Sequence, residues 1–242
     1  MAEVIQQENI RRRLFKLAAP IFIETLLIMM LGAVDVIMLS RHSDNSVAAV
    51  GVVNQIIVLT FLIFEVINLG TSVLCSQYLG AKMHKNVVQV VGVSLLMNLV
   101  VGVSVSLFLF GMNETILQWM GLTPELMKDG TDYMRIVGAF AFFQAISLTL
   151  SASLRSANKA IYPMMVTVVV NILNIIGNYT LIFGEFGFPE MGVEGAAIST
   201  AFSRGVSMVI LFIILFRKHI RKFPLAYFRP FPFKELKNLL KV

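Results

Sequence analysis

The 242-residue sequence contains little of what a soluble enzyme or a disulfide-stabilised protein needs. It has one cysteine, three histidines and one tryptophan, and charged residues make up only 14% of the chain. A single cysteine excludes an intrachain disulfide and a cysteine metal cluster. Soluble domains contain about 25% charged residues. The scarcity of charge therefore indicates a chain that is surrounded by lipid rather than by water.

The few histidines also argue against a membrane-embedded enzyme. Such an enzyme needs paired catalytic groups at membrane depth, whereas His42, His84 and His219 lie in predicted links or in the tail. No HExxH motif and no nucleophile elbow is present. The net charge of +6 does not indicate nucleic acid, because excess Lys and Arg in a membrane protein usually report its orientation. We therefore predict a protein that is not an enzyme, has no cofactor and binds no nucleic acid.

What the sequence has in abundance is long apolar runs. Apolar residues make up 57% of the chain, and the mean hydropathy is +0.81. A helix needs about 20 apolar residues to cross a hydrocarbon core of about 30 Å. Six stretches reach this length, at 14–39, 47–74, 87–110, 130–150, 161–183 and 192–216. We predict an all-α membrane protein with a six-transmembrane-helix bundle over residues 1–216 and a basic cytoplasmic linker at 217–242.

The basic residues lie almost entirely on one side of this arrangement. The N-terminus, the second and fourth links and the tail carry sixteen Lys and Arg, and the opposite side carries three. The positive-inside rule then places both termini in the cytoplasm of a multi-pass plasma-membrane protein. An alternative for the tail is a helix on the membrane surface that is held by anionic lipids.

The first span carries two acidic residues at membrane depth, where a charge is costly. Glu24 and Asp35 are eleven residues apart, about 1100° of helix rotation, so they share a face. Pro20 removes a helical hydrogen bond and predicts a kink or hinge. An acidic face on a kinked helix can bind and release a cation and change shape. The role of Glu24 is less defined, and we treat it as a possible secondary acidic group.

The fifth span carries a polar stripe of Asn171, Asn174 and Asn178, and the sixth span carries Thr200. From the predicted topology, Asp35 lies roughly 6 Å below the outer end of its span, Asn178 about 8 Å, Thr200 about 10 Å and Asn174 about 14 Å. If these helices adjoin, their oxygen atoms suit Na⁺, or they tune a proton-binding Asp35. The alternative is a polar contact that only stabilises helix packing.

Five segments in chain order resemble a known family. The first span reads PIFIETLLIMMLGAVDVIMLSR, and the second ends in NLGTSVLCSQYLGAK. LRSANKAIYPM links the fourth and fifth spans, NILNIIGNYTLIFG lies in the fifth span, and GVEGAAISTAFSR lies in the sixth. Together these segments resemble the multidrug and toxic compound extrusion (MATE) transporters.

The resemblance implies a cation-coupled antiporter of the bacterial cytoplasmic membrane, in which H⁺ or Na⁺ enters and an amphipathic, often cationic compound leaves. In some members an aspartate of the first span, an asparagine and an aspartate of the fifth and a threonine of the sixth bind the ion. These positions correspond to Asp35, Asn174, Asn178 and Thr200, and Pro20 matches the position where the first helix is proposed to bend. Asn178 replaces the aspartate, which removes one charge and favours H⁺.

Family members have two similar six-helix lobes around a central cleft, and this chain resembles only the first lobe. Residues 237–242, KNLLKV, are similar to RRLFKLAAP at 12–20, which opens the first span. We expect either a fragment that continues into a second lobe or a half-size protein that dimerises, and we favour the fragment. The expected partners are small amphipathic or cationic substrates, the lipid bilayer and a second six-helix lobe.

Two other functions stay open. One is a flippase for lipid-linked precursors in the same superfamily, which needs a strongly cationic cavity. Arg204 is the one plausible cation that the sequence places within a span. The other is a structural membrane subunit that transports nothing.

Overall fold

In the computed structural model, which describes residues 2–217 and 232–239, the chain is helical and has no strand within these ranges. Side chains are described from Leu14 onward, except that of Lys16. The helices are α1 (Ala2–Ser40), α2 (Asp44–Gly80), α3 (His84–Gly111), α4 (Asn113–Trp119), α5 (Pro124–Ala139), α6 (Ala141–Ser156), α7 (Ile161–Phe183), α8 (Gly192–Leu215) and α9 (Phe233–Leu239). A 3₁₀ turn at Glu185–Gly187 joins α7 to α8.

The predicted spans reappear as long apolar helices. Within the described ranges, α1, α2, α3, α7 and α8 are each long and apolar enough to cross a membrane, and α5 with α6 makes a sixth span if the bent pair counts as one. The all-α, six-span architecture predicted from the sequence is therefore confirmed.

The fourth span differs from the prediction of one uninterrupted helix at 130–150. α5 and α6 meet at an angle of 46°, and Phe140 between them has non-helical backbone angles (φ −105°, ψ 16°). The break frees backbone groups that lipid cannot satisfy. Ser106 of α3 compensates, because its hydroxyl accepts a hydrogen bond of 3.1 Å from the amide of Phe142.

The helices pack closely where glycine allows it. At Gly102 of α3, an added Cβ would lie 3.0 Å from the Cβ of Ala145 and 3.1 Å from the Cα of Phe142, both in α6. α3 is therefore in near-backbone contact with α6, as small residues permit in membrane helix pairs.

A buried polar network connects three helices. The amide of Asn98 in α3 donates to the carbonyl oxygen of Asn68 in α2 (3.0 Å) and to the hydroxyl of Thr149 in α6 (2.6 Å). All three residues are buried, so the network fixes α2, α3 and α6 relative to one another.

The predicted linker at 217–242 lies mainly outside the described residues, as do its basic residues Lys218, Arg221, Lys222, Arg229 and Lys241. The described part forms α9, which packs against α2 and α3. Glu235 of α9 is buried and accepts hydrogen bonds of 2.8 Å from the hydroxyl of Tyr78 and from the amide of Asn86.

Candidate functional site

The three helices that carry the predicted polar residues adjoin, with α7 packed between α1 and α8. Two glycines bring α7 and α8 close together. A Cβ at Gly195 would lie 2.5 Å from the carbonyl oxygen of Leu181, and a Cβ at Gly177 would collide with the hydroxyl of Ser199. This close contact holds the polar residues of α7 and α8 within hydrogen-bonding distance of each other.

The four candidate residues form one continuous chain of hydrogen bonds. The side-chain amide of Asn178 donates to the carboxylate Oδ1 of Asp35 (2.6 Å) and to the Oδ1 of Asn174 (3.1 Å). The amide of Asn174 donates to the hydroxyl of Thr200 (3.4 Å). The structure therefore brings Asp35, Asn174, Asn178 and Thr200 together, from three different helices.

The four hydrogen-bonded side chains differ in how deeply they are buried. Asn174 and Asn178 are 2% and 1% exposed, whereas Asp35 and Thr200 keep part of their surface exposed. The Oδ1 atom of Asn178 is buried and has no hydrogen-bond partner in the described part of the chain. Asp35 thus lies at a partly exposed end of the cluster, and the amide that donates to it carries an oxygen without a partner among the described residues.

Two residues that the sequence analysis did not assign to the cluster lie beside it. Tyr133 in α5 is buried, and its hydroxyl is near enough to Thr200 to interact with it. The guanidinium of Arg204 in α8 lies 5.0 Å from the ring centroid of Phe61 in α2 and is near enough to Asp35 to interact with it electrostatically. Arg204 follows Thr200 by four residues, so helical spacing could have placed both on one face. No comparable signal marks Tyr133.

Glu24 shares a helix face with Asp35 but takes no part in the cluster. It is 5% exposed, and its Oε1 accepts a hydrogen bond of 2.7 Å from Arg155 of α6 in an ion pair. Asn171 is also separate, since its amide donates to the backbone carbonyl of Leu27 in α1 (2.8 Å). Pro20 lies inside α1, which is one continuous helix, and its role as a hinge stays a prediction.

The Glu24–Arg155 pair should stabilise the contact of α1 with α6. Glu24→Gln leaves a partly buried arginine without its counter-ion and should lower the free energy of unfolding by about 1–3 kcal/mol, less than for a fully buried pair because the Arg155 side chain is 32% exposed. Thermal unfolding in detergent measures this change. The double variant Glu24→Gln/Arg155→Gln should recover part of the loss. An unchanged melting temperature in Glu24→Gln would contradict the assignment.

Known proteins match the sequence of this chain over most of its length. The model of the MatE family matches residues 20–180. The chain is 41% identical over 229 residues to the uncharacterized transporter YisQ of Bacillus subtilis, covering 95% of this chain and 50% of that protein. It is 32% identical over 210 residues to a probable multidrug resistance protein, NorM, of Thermotoga maritima, covering 87% of this chain and 45% of that protein.

A solved structure has the same fold. An outward-facing multidrug resistance MATE family transporter of the MOP superfamily matches with a TM-score of 0.83 and 26% identity, covering 95% of this chain and 50% of that one. The chain spans about half the length of the relatives that it matches.

Proposed function

The chain belongs to the MatE family, and we propose that it forms the first six-helix lobe of a proton-coupled exporter of amphipathic, often cationic compounds. The family consists of transporters, and the chain is a multi-pass membrane protein whose bacterial relatives lie in the cytoplasmic membrane. We further propose that both termini are cytoplasmic and that a second six-helix lobe completes the substrate cleft.

The hydrogen-bonded carboxylate of Asp35 is the observation that carries this proposal. A charged group inside the hydrocarbon core is costly, by at least about 2.5 kcal/mol at a helix centre and less toward the end of a span, so the presence of Asp35 calls for a function or for compensation. Glu24 has an arginine as its ion-pair partner, whereas Asp35 has an amide donor and, among the described side chains, no ion pair within 4.0 Å. Asp35 is thus the carboxylate that is free to exchange a cation.

The hydrogen bonds around Asp35 favour a proton over Na⁺. A sodium site needs several oxygen atoms that converge on one point. Here the amide nitrogen of Asn178 faces Asp35 and the amide nitrogen of Asn174 faces Thr200, so a sodium site would require several side chains to rotate together. A protonated Asp35 needs only one acceptor, and the unpartnered Oδ1 of Asn178 supplies it when the amide rotates.

Proton binding can couple to movement through this same contact. Asp35 joins α1 to α7, and Pro20 weakens the backbone hydrogen bonding of α1 fifteen residues earlier. When Asp35 changes from hydrogen-bond acceptor to donor, its bond to Asn178 must be exchanged. We propose that α1 then bends at Pro20 and that the bound compound loses its interaction with the carboxylate.

Proteoliposomes containing the protein from its complete reading frame test this function. An acidic lumen should drive the uptake of ethidium, whose positive charge does not depend on pH. A Na⁺ gradient at equal pH should not drive it, and liposomes without protein provide the control. Uptake driven by Na⁺ alone would disprove proton coupling. No uptake under either gradient would disprove transport and favour a structural subunit.

A further inference from the structure

One charged side chain inside the bundle has no part in the proton cycle. Arg204 belongs to α8, yet it reaches across the bundle to the ring of Phe61 in α2 and lies close to Tyr133 of α5 and Asp35 of α1. It therefore faces the interior between these helices. A side chain that served only the membrane interface would lie at the end of its helix, whereas Arg204 lies in the middle of α8 (Gly192–Leu215).

The guanidinium of Arg204 keeps hydrogen-bond donors unused. Its Nη1 atom is buried and has no hydrogen-bond partner within the described residues. The contact of the guanidinium carbon with the ring of Phe61, at 5.0 Å from the ring centroid, does not use the N–H groups of Nη1. Asp35 does not satisfy these donors, because the two side chains form no ion pair within 4.0 Å.

The carboxylate of Asp35 and the guanidinium of Arg204 therefore lie near each other without forming an ion pair. Asp35, Arg204, Thr200 and Phe61 all keep part of their surface exposed. Arginine is the side chain best suited to a carboxylate, which it binds through two parallel hydrogen bonds, and Nη1 of Arg204 has no other partner within the described residues. The ring of Phe61 adds an apolar surface beside both charges.

We propose that Arg204 binds an acidic group of the exported compound while Asp35 binds its cationic centre, so that the preferred substrates are zwitterionic amphipaths. The role of Asp35 in this inference rests on the proposed function, but the role of Arg204 does not. The two site charges sum to zero when Asp35 is ionised, which matches a zwitterion of no net charge. When Asp35 is protonated, the cationic centre loses its partner and lies near an uncompensated Arg204, which favours release.

Two dyes that differ by one methyl ester distinguish the contact with Arg204 from the contact with Asp35. Rhodamine 110 carries a free carboxylate beside its cationic ring system, and rhodamine 123 is its methyl ester. Binding is measured by fluorescence anisotropy on the detergent-solubilised protein from its complete reading frame. The wild type should bind rhodamine 110 about tenfold more tightly than rhodamine 123, as expected for one charge-assisted contact.

Arg204→Met should remove this preference. Its affinity for rhodamine 110 should fall about tenfold, with less than about a twofold change for rhodamine 123. Arg204→Lys, which keeps the charge, should retain part of the preference. The matched control is Arg135→Met, because Arg135 also stacks on a phenylalanine, Phe110, at 5.6 Å, but lies exposed on α5. It should change neither affinity.

A wild type that binds the two dyes equally, or prefers the ester, would overturn the inference. Equal losses for both dyes in Arg204→Met would also overturn it, because they would assign Arg204 a structural role. These measurements need no ion gradient. A protein that prefers rhodamine 110 but shows no gradient-driven uptake would therefore disprove the proposed function and leave the role of Arg204 standing.

Discussion

Replacing Asp35 with asparagine should reduce proton-driven uptake of ethidium on the order of a hundredfold, to the leak rate of liposomes without protein. Asparagine has the same size and retains an oxygen that can accept the hydrogen bond from Asn178. It cannot gain or lose a proton in the physiological range. The packing of α1 against α7 should therefore persist, and only the response to the pH gradient should be lost.

The control for this variant is the same chemical change at another carboxylate. Asp132 of α5 lines a polar pocket with Asp129 and Glu190, outside the hydrogen-bonded cluster. Asp132→Asn should retain uptake within about a factor of two of the wild type, as for a surface substitution. Normal proton-driven uptake by Asp35→Asn, or an equal loss in Asp132→Asn, would contradict the assignment of Asp35.

Replacing Asn178 with leucine should have the second largest effect. Its side-chain amide donates to both Asp35 and Asn174, and leucine has the same number and branching of side-chain heavy atoms but no polar atom. Leaving a buried polar group unpaired costs about 1–3 kcal/mol. We expect proton-driven uptake to fall roughly 10- to 100-fold, since each 1.4 kcal/mol corresponds to a factor of ten.

Asn171→Leu is the matched control on the same helix. Asn171 is another buried asparagine of α7, but its bond goes to the backbone carbonyl of Leu27 and not to the cluster. This variant should lower the melting temperature and leave proton coupling intact in the protein that inserts. Similar losses of uptake in both variants, measured per inserted protein, would show that any buried asparagine of α7 supports transport only through packing.

The cluster could be predicted because membrane geometry leaves few choices. Once the spans and their direction were assigned, the rise of 1.5 Å per residue placed Asp35, Asn174, Asn178 and Thr200 at similar depths. Depth alone did not show that α1, α7 and α8 adjoin. The lateral arrangement depends on contacts such as Gly195 against Leu181, which the sequence does not pair.

The break at Phe140 was not predictable from local composition. Gly138 lies two residues before Phe140, but a single glycine is tolerated inside a helix, so the apolar run from 130 to 150 resembles one helix. Ser106 of another helix compensates for the break, because its hydroxyl accepts a hydrogen bond from the freed amide of Phe142. A single polar side chain in α3 thus supports the shape of a segment 36 residues later.

Paired charges were missed for a similar reason. Arg155 was counted as a topology signal and Glu24 as a possible secondary acidic group, whereas the structure joins them across α1 and α6. Glu235, in a segment that charge alone marked as a linker, is buried against Tyr78 and Asn86. Sequence patterns give the face and depth of a charge, but its partner depends on which helices are neighbours.

Proton release on substrate binding tests the account most directly. The purified protein, in weakly buffered detergent solution with a pH indicator, receives ethidium at a pH where Asp35 is protonated. Because substrate and proton compete, the wild type should release up to about one proton per bound ethidium molecule. Asp35→Asn should bind ethidium without releasing a proton. Binding without proton release by the wild type, or equal release by Asp35→Asn, would contradict the claim that this carboxylate holds the coupling ion.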